Sequence, residues 1–497
     1  MVFSDLMAVI FEIGNVTTTA HGISEYANVL LCLRTWVPGF QYTKQYKMKR
    51  WDGKMNLFAG ETFPTGLLPD VLKKMESNKL DYVLNDVRFI EPLTLGPTTV
   101  PLRSYQDDAI RDAFGHVYLG TWWPRGVIKL PTGSGKTELA AAMIDMAQVP
   151  TMFLVHRQDL VAQAIERFQK YNLNVGGLGT FDQNLVTVCT VQSLMSWDMK
   201  FEKKYVDSEG VKTFRSDDWL HQKKQKQKLR SQDIKDILLD VHQVFIDEAH
   251  LIATKPENMT LMNKALTLMP NAYMRWGLTA TPFLREQLYD WALEGSTGPC
   301  IVDISNRELI DAGFLSDCAV DMYMMPKGAS MPKSWPECYE HGIVAYKPRN
   351  EKVIECLSLY PSPTLILVNK IGHGTLLEQM AARAGKNIPF VHGSSGKAER
   401  GEVLADLKRG AIDGVIASTI WDEGVNAPSI KSIILAGAGK SEIKNLQRLG
   451  RGLRTSPGKT ILHLIDFIDV GTKILKQHSD SRKQYWKDQG FQVNILR

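Results

Sequence analysis

Leu130-Pro131-Thr132-Gly133-Ser134-Gly135-Lys136-Thr137 is the stretch on which the reading of this 497-residue chain turns. It is entered from the apolar run GVIKL (126–130) and left through ELAAAMIDMA (138–147), a strand giving way to a helix. Two glycines in this loop let backbone N–H groups come close to an anion, and the helix N-terminus adds its positive end. Thr132, Gly133, Ser134 and Gly135 would form the cradle, Lys136 would reach the β- and γ-phosphates of a nucleotide, and the Thr137 hydroxyl would ligate Mg2+. The strict pattern has glycine where Leu130 stands.

The same grammar extends on both sides. TMFLV (151–155), LVTVCTV (185–191) and QVFID (243–247) read as strands, with DLVAQAIERFQK (159–170) as a helix between two of them. After residue 300 the alternation returns in TLILV (364–368), GVIAS (414–418), SIILAG (432–437) and TILHLIDF (460–467). Short buried strands alternating with helices predict two successive parallel α/β layers. Ahead of them, residues 1–95 form a small mixed unit ending in the linker-like EPLTLGPTTVPLR. The expected domains are therefore 1–95, 96–300 and 301–497, with a charged insertion over about 196–240 centred on HQKKQKQKLR.

Composition narrows the classes. Hydrophobic content of 44% and charged content of 23% are those of a soluble globular protein. The six cysteines are scattered, with no Cys-x-x-Cys pair, so neither a zinc site nor a disulfide framework is indicated. No apolar run is long enough to span a membrane, and the N-terminal MVFSDLMAVIFEIGNV lacks a basic leader. A cytoplasmic protein is expected. The net charge of +5 permits a polyanionic partner, but local clustering decides.

Phe245-Ile246-Asp247-Glu248-Ala249-His250 supplies the second half of a nucleotide site. An acid at a strand end holds Mg2+ through water, here Asp247, and a second acid, Glu248, orients the attacking water. With the phosphate loop, this pair resembles motifs I and II of superfamily-two helicases, and further motifs follow in order. Leu102-Arg103-Ser104-Tyr105-Gln106 resembles the adenine-reading element, implying that Gln106 pairs with the base edge and Arg103 stacks. Leu278-Thr279-Ala280-Thr281-Pro282 resembles motif III, which implies that Thr279 and Thr281, with His250, couple hydrolysis to movement. Ala417-Ser418-Thr419 through Asp422-Glu423-Gly424-Val425-Asn426 resembles motif V, with Gly424 at the nucleotide and Asn426 where relatives often carry Asp. Gln447-Arg448-Leu449-Gly450-Arg451-Gly452-Leu453-Arg454 resembles motif VI. Arg451 and Arg454 share a helix face and, with Gln447, are the expected catalytic groups beside Glu248. The resemblance spans roughly residues 100–470. It implies two tandem RecA-like domains after a small α+β domain, with ATP and Mg2+ as cofactors.

The resemblance also implies a nucleic-acid track held through phosphates: Arg157, Gln158, Thr190, Gln192, Asn369, Lys370, His392, Gly393, Ser418 and Thr419. Upstream, YKMKRWDGKMNLF (46–58) reads as a tight hairpin turning at Asp52-Gly53, with Lys47, Lys49, Arg50 and Lys54 near its tip and Trp51 free to stack or wedge. The N-terminal block resembles the accessory domain of UvsW-type phage recombination helicases. The expected function is an ATP-dependent DNA helicase or translocase that remodels branched DNA, including Holliday junctions, forks and R-loops with their RNA–DNA hybrids. A monomer is the expected working form, in the host cytoplasm if phage-encoded. The alternatives are an RNA helicase, an annealing module, or the motor subunit of a restriction complex. The basic, aromatic KILKQHSDSRKQYWKDQGF (473–491) is expected to dock as a helix on the last domain.

Overall fold

The computed structural model describes residues 8–22, 33–58, 60–178, 184–202, 234–254, 256–281, 286–327, 334–418, 430–437, 439 and 461–497. They form two compact units, one built mainly of residues up to Asp303 and the other of residues from Ile304 onward.

In the first unit seven parallel strands run in the order Val175–Gly177, Val186–Thr190, Thr151–Val155, Gln243–Asp247, Met274–Thr279, Arg125–Lys129 and Cys300–Asp303. The central strands are buried almost throughout, as a sheet covered on both faces demands. The helix after the phosphate loop, Lys136–Ala147, has every residue from Leu139 to Ile144 fully buried. Its run of alanines leaves a cylinder thin enough to lie deep in the unit, with the acids Glu138 and Asp145 toward its two ends paired to Arg167 and to Thr98 and Thr99.

The second unit repeats the plan. Its seven parallel strands run Phe390–Val391, Gly414–Ala417, Thr364–Leu367, Ser432–Ile434, Ile461–Ile468, Asp317–Met324 and Gln492–Leu496. The helix Lys473–Asp488 docks through Leu475, Arg482, Tyr485 and Trp486.

The N-terminal block has a mixed sheet ordered Thr62–Pro64, Thr17–His21, Val9–Ile13, Tyr82–Asp86. Helix Leu68–Ser77 covers it with Leu68, Val71, Leu72 and Met75, the spacing of one helical face. This block is welded to the first parallel sheet. Asn15 donates to the carbonyls of Phe89 and Pro270, both at 3.1 Å, and Arg125 donates to the Asn15 carbonyl at 3.1 Å. Gly66 lies so close to the helix Gln287–Ser296 that a Cβ there would sit 1.8 Å from the Glu294 carbonyl oxygen.

One expectation is corrected. Asp52-Gly53 does not join adjacent strands in a tight hairpin. The paired strands are Arg34–Trp36 and Lys54–Asn56, and the chain between them makes a long excursion through short helices Phe40–Tyr42 and Lys44–Lys47. Trp36 stacks on Phe40 with ring centres 4.4 Å apart, and Thr43 caps the second helix. Those contacts hold the excursion, while Gly53, at φ +82°, fits against the Phe40 and Trp36 rings where a Cβ would collide.

Candidate nucleotide and nucleic-acid sites

The phosphate loop follows strand Arg125–Lys129, and both of its glycines are left-handed, Gly133 at φ +89° and Gly135 at φ +82°. A side chain at Gly135 would also meet the Gln106 amide nitrogen at 2.7 Å. That amide donates to the Gly135 carbonyl at 3.1 Å, and the Gln106 side-chain oxygen accepts from the Arg103 N–H at 2.9 Å. Gln106 is therefore buried between the loop and its own helix start, while Arg103 is exposed beside the Tyr105 hydroxyl. Lys136 is buried and donates to the Leu130 carbonyl at 3.4 Å, and the Thr132 hydroxyl is buried with no protein partner. Ser134 donates to the Pro131 carbonyl at 2.7 Å. Thr137 stands in the first turn of the helix.

Asp247 ends the strand two places from the loop's strand. Burial pushes its carboxyl up to about 6, the Glu248 charge adds to the rise, and Lys136 opposes it. Glu248 sits at φ +48°, a conformation a non-glycine residue adopts only where its surroundings enforce it. Its N–H donates to the Asp247 carboxylate at 3.0 Å, which helps hold that turn. His250 Nδ1 lies 2.9 Å from the Thr279 hydroxyl and 3.4 Å from the Glu248 carboxylate. The Thr281 N–H donates to the same Thr279 hydroxyl at 3.1 Å. One hydroxyl thus joins the acids' loop to the next strand end. Among the described residues no group of three His, Cys, Asp or Glu side chains would hold a resident metal ion. A cation brought in on the oxygens of a bound nucleotide needs no such group.

The track residues have other partners in this state. Arg157 is held by Asp159 at 3.0 and 3.1 Å, and the Gln158 side-chain oxygen accepts from Ser193 at 3.4 Å. The Thr190 hydroxyl is taken up in capping the helix Val191–Glu202, accepting from the Ser193 N–H at 3.0 Å, and Gln192 is exposed. In the second unit Asn369 donates to the Gly437 carbonyl at 2.9 Å and Lys370 pairs with Glu340 at 2.5 Å. His392 Nδ1 accepts from the Ser394 N–H at 3.3 Å, Gly393 is exposed, and Ser418 is buried. Thr419, Gly424, Gln447, Arg451, Arg454 and the run 221–230 lie outside the described residues.

The basic excursion differs from its sequence reading in which aromatics face solvent. Trp51 is half-buried against the core of the first unit, and its indole N–H donates to the Lys54 carbonyl at 2.8 Å. It is an anchor. Tyr42 is 77% exposed, Trp36 48% and Met48 47%. Residues 34–54 hold Arg34, Lys44, Lys47, Lys49, Arg50 and Lys54 against the single acid Asp52, a net of +5 that equals the charge of the whole chain. Asp52 pairs with Arg34, and Lys54 sits over the Trp36 ring at 4.7 Å. Lys44, Lys47, Lys49 and Arg50 are exposed and make no ion pair among the described residues. The charge was legible in the sequence, whereas Trp51, expected to be free to stack, is packed and Trp36 and Tyr42 are the more exposed rings, because exposure is settled by packing between distant segments.

The family profile described as "Type III restriction enzyme, res subunit" matches residues 99–284, and "Helicase conserved C-terminal domain" matches residues 349–456. The chain is 24% identical to the "DNA 3'-5' translocase XPB2" of Sulfurisphaera tokodaii over 85% of its own length and 93% of that protein's. Other curated relatives are longer, and the chain spans 66% of one and 55% of another. Among solved structures, a fragment described as an HsdR subunit of a type I restriction enzyme from Vibrio vulnificus superposes with a TM-score of 0.56 at 18% identity, covering 92% of this chain and 82% of that one. The crystal structure of T4 UvsW covers 99% of both chains at 16% identity, with a TM-score of 0.42. Two tandem parallel sheets, the ordered motifs and both profiles agree: the chain belongs to helicase superfamily two, the ATP-dependent nucleic-acid motors.

Proposed function

We propose that this motor is a DNA helicase or translocase that remodels branched DNA, and that the excursion at residues 34–54 grips duplex while ATP is cleaved in the first unit. The observation that carries this reading is the concentration of the chain's entire net charge on one solvent-facing excursion anchored by Trp51 to the nucleotide-binding unit. Phosphate contacts of this kind hold DNA without reading its bases. Tyr42 and Trp36, rather than Trp51, supply rings for an exposed base or a duplex end.

At the nucleotide, Gly133 and Gly135 present backbone N–H groups and Lys136 meets the β- and γ-phosphates. Thr137 and Asp247 are the residues to hold Mg2+, which would neutralise charge developing on the phosphates. The fit is chemical: the half-buried Asp247 carboxyl is raised by desolvation and then by the Glu248 charge, and an added cation relieves both costs. Glu248 orients the attacking water. Gln447, Arg451, Arg454 and Gly424 keep the roles that the motif resemblance implies.

The test is ATP turnover with no nucleic acid, single strand, duplex and four-way junction, with RNA of equal length in a parallel arm. The four-way junction is expected to stimulate most, and charge reversal of Lys47, Lys49 and Arg50 to Glu should remove the junction and duplex stimulation first. Equal rates in all arms would falsify the reading, and greater stimulation by RNA would transfer it to RNA.

A further inference from the structure

Glu248, at φ +48°, keeps its left-handed turn only if the surrounding framework holds it there. On one side its N–H donates to Asp247 Oδ1 at 3.0 Å. On the other, two hydrogen bonds in series tie it to a helix further along the chain. The Glu248 carbonyl accepts from the Leu251 N–H at 2.9 Å, and the Leu251 carbonyl accepts from the Asn258 side-chain amide at 3.1 Å. Asn258 lies in the first turn of the helix Pro256–Thr267.

That helix is a firm base. Met259, Met262 and Leu266 follow the spacing of one helical face and are buried in the core of the first unit. Ile252, from the short helix Ala249–Thr254 that follows Glu248, is buried in the same core. Packing does not do the whole work, however. Asp247, Glu248, Leu251, Asn258, Leu261 and Met262 all line one cavity of about 60 Å3. A turn that borders a cavity is not clamped by close packing on that side, so its hydrogen bonds must fix it. The His250 ring, 3.4 Å from the Glu248 carboxylate, steadies the side chain, and the Asn258 tie steadies the backbone that carries it.

We propose that Asn258 is a positioning residue for ATP hydrolysis: by holding the Leu251 carbonyl it keeps Glu248 in its left-handed turn, with the carboxylate aimed at the attacking water. This rests on the reading of Glu248 as the water-orienting acid. Asn258 stands ten residues beyond Glu248, outside the motif that marks the acids, and only the fold brings its amide back to their turn.

The test uses the full chain at saturating DNA, with Asn258→Asp, Asn258→Leu, Glu248→Gln and the double variant Asn258→Leu/Glu248→Gln. Asn258→Asp keeps the shape and loses the donor, and an acid in the first turn suits the positive end of a helix. Its thermal midpoint should therefore not fall. Its kcat is expected to drop roughly three- to tenfold while KM for ATP stays within about twofold, the pattern of an interaction used only in the transition state. Asn258→Leu should lower kcat to the same extent. In single turnovers on the Glu248→Gln background it should bring no further slowing, because the amide acts through that carboxylate. Unchanged kcat in either single Asn258 variant, or equal slowing by Asn258→Leu on both backgrounds, overturns the proposal and leaves Glu248 its role. Wild-type turnover by Glu248→Gln overturns that role, and the proposal with it.

Discussion

Replacing Thr279 with valine isolates the link between the acids' loop and the neighbouring strand end. Valine keeps the shape and deletes one hydroxyl, which lies 2.9 Å from His250 Nδ1 and accepts from the Thr281 N–H at 3.1 Å. His250 is 1% exposed, so water cannot readily replace the lost contact. A buried group deprived of its partner costs about 1–3 kcal/mol, which sets the destabilisation expected for the first unit. The same range bounds what the link can transmit, since a coupling of about 1–3 kcal/mol corresponds to roughly 5- to 150-fold. The expected outcome is ATP turnover within about threefold of wild type and strand displacement per ATP lower by about tenfold, inside that range. Steady-state phosphate release and a fluorescent strand-displacement assay on one preparation give both numbers. If turnover and displacement fall by the same factor, Thr279 serves hydrolysis itself. If neither changes, the hydroxyl transmits nothing.

Two further outcomes follow from named groups. Lys136→Ala removes the buried cation that offsets Asp247 and that is proposed to meet the phosphates, so ATP turnover is expected to be abolished; DNA affinity, measured by anisotropy, should stay within about twofold if the DNA contacts are those proposed on residues 34–54. Glu294, at the joint with the N-terminal block, has its carboxyl raised from 4.5 to about 7 by burial, with Asp70 and Asp290 adding to the rise. A raised carboxyl pKa means that its favourable protonated state is fully present below the unfolded value and is lost as pH climbs through about 7. Glu294→Gln should therefore be nearly neutral below pH 4.5 and should stabilise the first unit by about 1–2 kcal/mol at pH 8, less than the full shift implies because the side chain is partly exposed. Thermal midpoints across that range check the sign, and a gain that shrinks toward alkaline pH sinks the argument.

The fold was legible where burial left a continuous apolar signature. TMFLV and QVFID are strands at the expected residues, and the alanine-rich helix follows the phosphate loop as its sequence indicates. Strand Met274–Thr279 was hidden because Arg275 interrupts its apolar run; that guanidinium is buried by donating to the carbonyls of Ala272 and Met269. The Arg349–Asp469 pair was also invisible, since 120 residues separate its members. The site divided in the same way. Glycines that must be left-handed declare themselves in a short motif, whereas the partner of Gln106, the cap made by Thr190 and the exposure of Tyr42 depend on segments brought together only by folding.

The joint between the N-terminal block and the first sheet constrains any account of movement. Surfaces between domains of one chain commonly permit relative motion, because they are modest in size and partly polar. Here Gly66 meets backbone, reaching the Glu294 carbonyl so closely that no side chain could intervene, and Gly295 packs against the Pro64 ring, where a Cβ would lie 3.0 Å from it. Trp123, from the first parallel-sheet segment, completes the N-terminal core, while Val37 from the N-terminal block is buried in the core of the sheet. Sliding at such a joint would expose both cores at once. Close-packed interiors switch between discrete arrangements rather than deform continuously, so the basic excursion and the phosphate loop's helix move as one body. If DNA is gripped at Lys47, Lys49 and Arg50 as proposed, it keeps a fixed offset from the helix Lys136–Ala147, and that reading predicts that the displacement ATP drives does not arise at this joint.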